Sequence, residues 1–126
     1  MQAWQKIIVV IDDEPDTTEM IAEMVRLSGY QVITSLGGST ALHLIAKERP
    51  DAVILDVMMP DLSGIDIIQF MRRDPRLGNI PVIIVSARTR PEDIQEGLDA
   101  GAAVYLTKPL AFLDLQSAVK RVISTS

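Results

Sequence analysis

Three unbroken apolar runs, Ile7–Ile11, Ala52–Leu55 and residues 82–85, constrain most strongly what this chain can fold into. Each is four or five residues long and rich in β-branched side chains, with no polar alternation. A strand with one wet face would alternate, so these runs suit the centre of a parallel sheet covered on both faces. Residues 30–35 and 103–107 are more mixed, as expected of strands at the sheet's edges.

Between the runs lie helical patterns. Pro15 suits a first helical turn, and Ile21, Met24, Val25 and Ser28 trace one face of a helix that Gly29 ends. A second helix is expected over residues 39–49, with Leu42, Ile45 and Ala46 inward and Pro50 as the stop. A third begins after Gly64, buries Ile65, Ile68 and Met71, and ends at Arg72-Arg73, whose charges suit a helix C-terminus. Pro91 opens a fourth, with Ile94 and Leu98 inward and Gly101 as its cap. The fifth covers residues 112–123 through Leu115, Ala118, Val119 and Val122. Five β–α units of this kind predict one doubly wound α/β domain over residues 1–126, with right-handed crossovers.

Composition removes several function classes. A net charge of −5 argues against binding a bare phosphate backbone, which needs a basic face, so direct nucleic-acid binding is not expected. The absence of cysteine excludes thiolate metal sites and cysteine nucleophiles. No stretch approaches the ~18 apolar residues of a membrane span. The N-terminal run turns acidic too soon for a secretory signal, so a cytoplasmic, membrane-free protein is expected.

The polar residues at the ends of the runs carry the chemistry. Asp12-Asp13 end the first strand, Asp56 the third and Ser86 the fourth, while Lys108-Pro109 come directly after the fifth. If the strands are parallel, these side chains gather at the sheet's carboxyl edge, where ligands of doubly wound folds bind. Two unit charges ~4 Å apart repel by about 4 kcal/mol at an effective dielectric near 20. Three clustered carboxylates must therefore protonate, pair or bind metal. With no cysteine, and with His43 on a helix elsewhere, the ligands are hard oxygens, which favour Mg²⁺ with Mn²⁺ as an alternative. A carboxylate not spent on the ion can attack phosphorus, and Asp56, alone at the end of a central strand, is the best nucleophile. Lys108 and the Ser86 hydroxyl can hold further phosphoryl oxygens. Taken singly, each residue has a plainer reading: Asp12 or Asp13 as a helix cap, Lys108-Pro109 as a turn.

The segments Ile11-Asp12-Asp13-Glu14-Pro15, Leu55-Asp56-Val57-Met58-Met59-Pro60-Asp61, Ser63-Gly64, Val85-Ser86-Ala87, Ala100-Gly101-Ala102 and Tyr105-Leu106-Thr107-Lys108-Pro109 resemble, in that order, a receiver domain of the two-component response-regulator family. The resemblance covers essentially the whole chain. It implies a flavodoxin-like (β/α)5 sheet with strand order 2-1-3-4-5. It also implies that Asp56 accepts a phosphoryl group from the phosphohistidine of a sensor histidine kinase or phosphotransfer protein. Asp13, Asp56 and the Met58 carbonyl would ligate Mg²⁺, with Asp12 acting through a water. Lys108 would pair with the phosphate, its aim set by a cis bond to Pro109, and Gly64 would be structural. Ser86 would turn toward the modified acceptor and Tyr105 would swing inward, altering the surface of the fourth helix, last strand and fifth helix. That surface would meet an output domain or target, and self-association into a homodimer through it is possible in the family. Met58 and Arg88, each two residues beyond a site residue, are expected to shield the acyl phosphate from water.

Three rivals fare less well. A turnover enzyme needs a substrate pocket, and the chain has only short loops; a flavin or nucleotide binder needs a phosphate cradle where Asp12-Asp13-Glu14 stand; a degenerate receiver would lack an acceptor, metal or Lys position. Gly37-Gly38 lack phosphate-loop spacing. His43 is expected in solvent, Met20, Met24 and Met71 in the core, Trp4 at the sheet's rim, and Arg72, Arg73 and Arg76 at a solvated helix end.

Overall fold

The computed structural model describes residues 5–125, so the expected packing of Trp4 lies outside the described residues. The elements alternate as β1 (Ile7–Ile11), α1 (Pro15–Leu27), β2 (Gln31–Ser35), α2 (Gly38–Glu48), β3 (Ala52–Leu55), α3 (Gly64–Arg73), β4 (Val82–Ser86), α4 (Pro91–Ala100), β5 (Val104–Thr107) and α5 (Phe112–Thr125). The five strands form one parallel sheet in the order β2-β1-β3-β4-β5. Every residue of β3 and β4 is buried, whereas β2 and β5, at the edges, are only partly covered. The continuous apolar runs and the mixed ones are thus explained by the same geometry.

Strand alternation divides the core. Val9, Ile11, Val53, Leu55, Val82 and Ile84 face one layer, with Ala41 and Ile45 of α2 and Ile67, Ile68 and Met71 of α3. Ile8, Val10, Ile54, Ile83 and Val85 face the other, with Ile21 and Val25 of α1 and Leu115, Val119 and Val122 of α5. Among the described residues no helix is long and apolar enough to cross a membrane.

The helix faces need some correction. In α1 the buried positions are Thr18, Ile21, Ala22 and Val25, so Met20, about 100° round the helix from Ile21, is 44% exposed rather than core. In α3 the inward set includes Ile67, and Ile65 is only half-buried. In α4 the position that meets the sheet is Gly97, where an added Cβ would lie 2.7 Å from Ile84 Cδ1 and 2.9 Å from the Tyr105 ring. The helix sits so close to β4 and β5 that only glycine fits there, and Leu98 turns outward. Arg72 is not a solvated helix end: it is half-buried, donating from Nη1 to the carbonyls of Gly78 and Ile80 and from Nη2 to that of Gly101. Gly101, at φ +123°, ends α4 in a conformation that other residues rarely adopt. His43 and Arg73 are exposed as expected.

Candidate functional site

Parallel register brings the strand ends to one level. Ile11 pairs with Leu55, so Asp12 and Asp56 stand side by side, and the Asp56 N–H donates to the Ile11 carbonyl at 3.1 Å. Ser86 pairs with Thr107, and the Lys108 N–H donates to the Ser86 carbonyl at 2.9 Å. The chain order reverses direction across β1 and β3, which opens a crevice at their carboxyl ends.

One carboxylate oxygen each from Asp12, Asp13 and Asp56 lies within 4.8 Å of the others. Asp12 and Asp56 are buried and Asp13 is exposed, so the cluster has a closed floor and an open mouth. From 52 and 96 residues away in sequence, Lys108 Nζ bridges Asp56 Oδ2 at 3.0 Å and Asp12 Oδ2 at 3.1 Å. Partial burial works against the ammonium, but its hydrogen bonds to Asp56 and Asp12 outweigh this and hold its pKa above the ordinary lysine value. Three carboxylates against one ammonium leave a formal charge of −2 among these side chains. A compact, hard-oxygen, doubly negative set fits a small divalent cation such as Mg²⁺ and gives no soft ligand for zinc or copper.

Local structure fixes each member. Asp12 Oδ1 accepts from the Glu14 N–H at 2.9 Å, and the buried Thr18 hydroxyl lies 2.8 Å from the Asp12 carbonyl and 2.9 Å from that of Glu14. Thr18 was not among the predicted site residues, although a threonine in the first helical turn behind an acidic pair is a signal for such back-bonding. Asp56 Oδ1 accepts from the Met58 N–H at 3.0 Å, and Met58 is 49% exposed. Gly64 backs directly onto the Asp56 carbonyl, Leu55 and Val57, with no room for a Cβ. The Lys108-Pro109 peptide is cis.

Ser86, Arg88 and Tyr105 form a second group beside the first. The Arg88 N–H donates to the buried Ser86 Oγ at 3.1 Å, and the Tyr105 hydroxyl donates to the Arg88 carbonyl at 2.9 Å. The Tyr105 ring packs beside Gly97 of α4. One exposed residue thus ties the strand-end hydroxyl to the aromatic of β5.

Comparison with known proteins identifies the family and the fold. The family model described as the response regulator receiver domain matches residues 8–120. The chain belongs to that family. Among curated relatives, this receiver domain is 42% identical over 119 residues to the transcriptional regulatory protein KdpE of Mycobacterium tuberculosis, covering 91% of this chain and 51% of the relative. To the transcriptional regulatory protein PrrA of the same organism it is 36% identical over 116 residues, covering 92% and 49%. The chain therefore spans about half the length of the curated relatives it matches. Among solved structures, the chemotaxis protein CheY4 of Vibrio cholerae superposes with a TM-score of 0.87 at 30% identity, covering 94% of this chain and 98% of that one. The receiver domain of a sensor histidine kinase from Pseudomonas aeruginosa, crystallised with a magnesium ion in its active-site cleft, superposes with a TM-score of 0.88 at 28% identity, covering 95% and 98%.

Proposed function

We propose that this receiver domain is a phosphorylation-operated switch in which Asp56 accepts a phosphoryl group from a sensor histidine kinase or phosphotransfer protein, with Mg²⁺ required. The observation that carries the reading is the bridging of Asp12 and Asp56 by Lys108 within the three-carboxylate cluster. An Asp56 oxygen forms the new P–O bond while the P–N bond of the donor phosphohistidine breaks, its electron pair returning to the imidazole. Bound Mg²⁺ would neutralise charge on the transferring oxygens, held by Asp13, Asp56, the Met58 carbonyl and, through water, Asp12. Lys108 already reaches Asp56 and can shift its ammonium onto a phosphoryl oxygen with little movement. The domain catalyses only its own modification and hydrolysis.

Ser86 and Tyr105 read out the event. If Ser86 Oγ turns to a phosphoryl oxygen, its bond from the Arg88 N–H is lost, and with it the restraint on the Arg88 carbonyl that holds the Tyr105 hydroxyl. The population then shifts toward a different α4-β5-α5 surface. That surface addresses an output domain, a target protein or a second copy. The relatives named as transcriptional regulators are about twice as long, which supports a DNA-binding output in a longer polypeptide. For such a switch the cytoplasm is the compartment we assign. The test is labelling by acetyl phosphate with Mg²⁺. An acid-labile label is expected that is lost on chelation and in Asp56→Asn; label retained in Asp56→Asn would refute the assignment.

A further inference from the structure

The Gly37-Gly38-Ser39 segment opens α2 without a capping side chain: the N-cap is Gly37. The first N–H groups of a helix have no partner within it and lie at the positive end of its dipole. Here they are satisfied from another part of the chain. Asp61, in the loop that runs from Asp56 to α3, accepts from the Gly38 N–H at 3.1 Å, the Ser39 N–H at 3.2 Å and the Ser39 hydroxyl at 3.0 Å, and from its neighbour Leu62 N–H at 2.9 Å. These backbone hydrogen bonds, first from Gly38 and then from Ser39, pull the carboxyl's pKa down to about 2. The approach is close enough that a Cβ on Gly38 would lie 2.5 Å from the Leu62 carbonyl oxygen, and one on Gly37 would lie 3.2 Å from Asp61 Oδ2. The paired glycines therefore make a cradle for an anion, and the anion is the protein's own carboxylate.

The loop so held runs through residues 57–63. Its ends are fixed by the Asp56 N–H on Ile11 and by the Gly64 N–H on Val57, the Met58 N–H is held by Asp56 Oδ1, and Asp61 ties the stretch beyond Met58 to the start of α2. Met58, three residues before Asp61, supplies a backbone carbonyl in the cation reading above. A loop ordered during folding need not be ordered again when it binds an ion, and that difference appears as affinity. We infer that Asp61 is a positioning residue for the cation site: by capping α2 from the loop it holds the Met58 backbone ready to bind Mg²⁺. The inference rests on the Mg²⁺ reading of the cluster. By reciprocity, Mg²⁺ in the cleft must stabilise the cap as much as the cap favours Mg²⁺.

The experiment is calorimetric titration of the intact chain with Mg²⁺ alone, with amide hydrogen exchange at Gly38 and Ser39 measured with and without the ion. Asp61→Asn is expected to raise the Mg²⁺ Kd about tenfold, the low end of the effect of groups that orient metal ligands. Ser39→Ala, which removes one contact and keeps the carboxylate, should raise it less. In the wild type Mg²⁺ should slow exchange at both amides, and in Asp61→Asn it should not. Asp51→Asn is the control: Asp51 also accepts a backbone bond, from the Ile7 N–H at 2.8 Å, but at the start of β1, so stability should fall with the Mg²⁺ Kd unchanged. An unchanged Kd in both Asp61→Asn and Ser39→Ala, with wild-type binding intact, overturns the positioning role. Should Asp61→Asn not fold, Ser39→Ala and the wild-type exchange response decide. A wild type that binds no Mg²⁺ overturns the cation reading itself, and this inference with it.

Discussion

Replacing Arg72 should destabilise the domain far more than replacing its neighbour Arg73. The Arg72 guanidinium serves three carbonyls, Gly78 at 3.1 Å, Ile80 at 2.9 Å and Gly101 at 2.9 Å, tying the α3–β4 connection to the end of α4. Burial lowers its pKa, which reports a charge already partly removed from water. A hydrogen bond to a charged group is worth roughly 1.5–3 kcal/mol net, and the three here share one half-exposed donor whose own desolvation is recovered on deletion. The expected loss for Arg72→Leu is therefore about 3 kcal/mol, well below a sum of three full bonds, out of a total stability of about 5–15 kcal/mol. At about 4 °C per kcal/mol for a domain of this size, Tm should fall by ~12 °C. Arg72→Lys, whose ammonium cannot span the same three acceptors, should fall between. Arg73 is exposed and donates to Gln69 within its own helix, so Arg73→Ala should stay within about 0.5 kcal/mol of the parent. Urea unfolding measures both, with the m value as the check that the unfolded state is unaltered. If Arg72→Leu and Arg73→Ala lose the same small amount, the carbonyl clamp contributes nothing and the account of this corner is wrong.

The remaining expectations concern the site and its neighbours. Met58→Asn and Arg88→Glu, at the exposed positions two residues beyond Asp56 and Ser86, should each shorten the half-life of the phosphorylated form, as followed by loss of label in a chase; an unchanged decay would refute shielding by these side chains. Gly97→Val should cost about 1–3 kcal/mol in thermal melts through overpacking against Ile84 and the Tyr105 ring, and should displace that ring in near-ultraviolet circular dichroism. Asp61, lowered to about 2 in the folded protein, binds fewer protons there than when unfolded, so its contribution is full above the ordinary value near 3.8 and disappears as pH falls toward 2. Acid titration of stability should accordingly be shallower in Asp61→Asn across that window, and parallel curves for the two proteins would contradict the bonding at α2.

How much of the fold and site was legible in the sequence depends on the distance over which each contact is decided. The central strands declare themselves because burial on both faces leaves no polar residue to interrupt them, and the sheet order then brings Asp12, Asp56 and Lys108 together although Lys108 and Asp12 are 96 residues apart. Regular architecture converts local pattern into long-range position. The contacts that were missed have no such rule behind them. Nothing in Gly37-Gly38-Ser39 names Asp61, 23 residues from Gly38, as its partner; the pair becomes visible only when the loop after β3 lies against α2. The same holds for Arg72, 29 residues from Gly101. An arginine in the last turn of a helix complements the dipole whether it points to water or folds back, and its apolar stem allows either. What decides is where backbone carbonyls are left without partners, and that is a property of how the connections cross rather than of any residue within them. Helix α4 makes the point from the opposite side: a leucine is the more hydrophobic choice for an inward position, yet the sheet approaches so closely that the glycine beside it is buried and Leu98 is left 39% exposed. Hydrophobicity ranks candidates for burial, but the spacing between elements chooses among them.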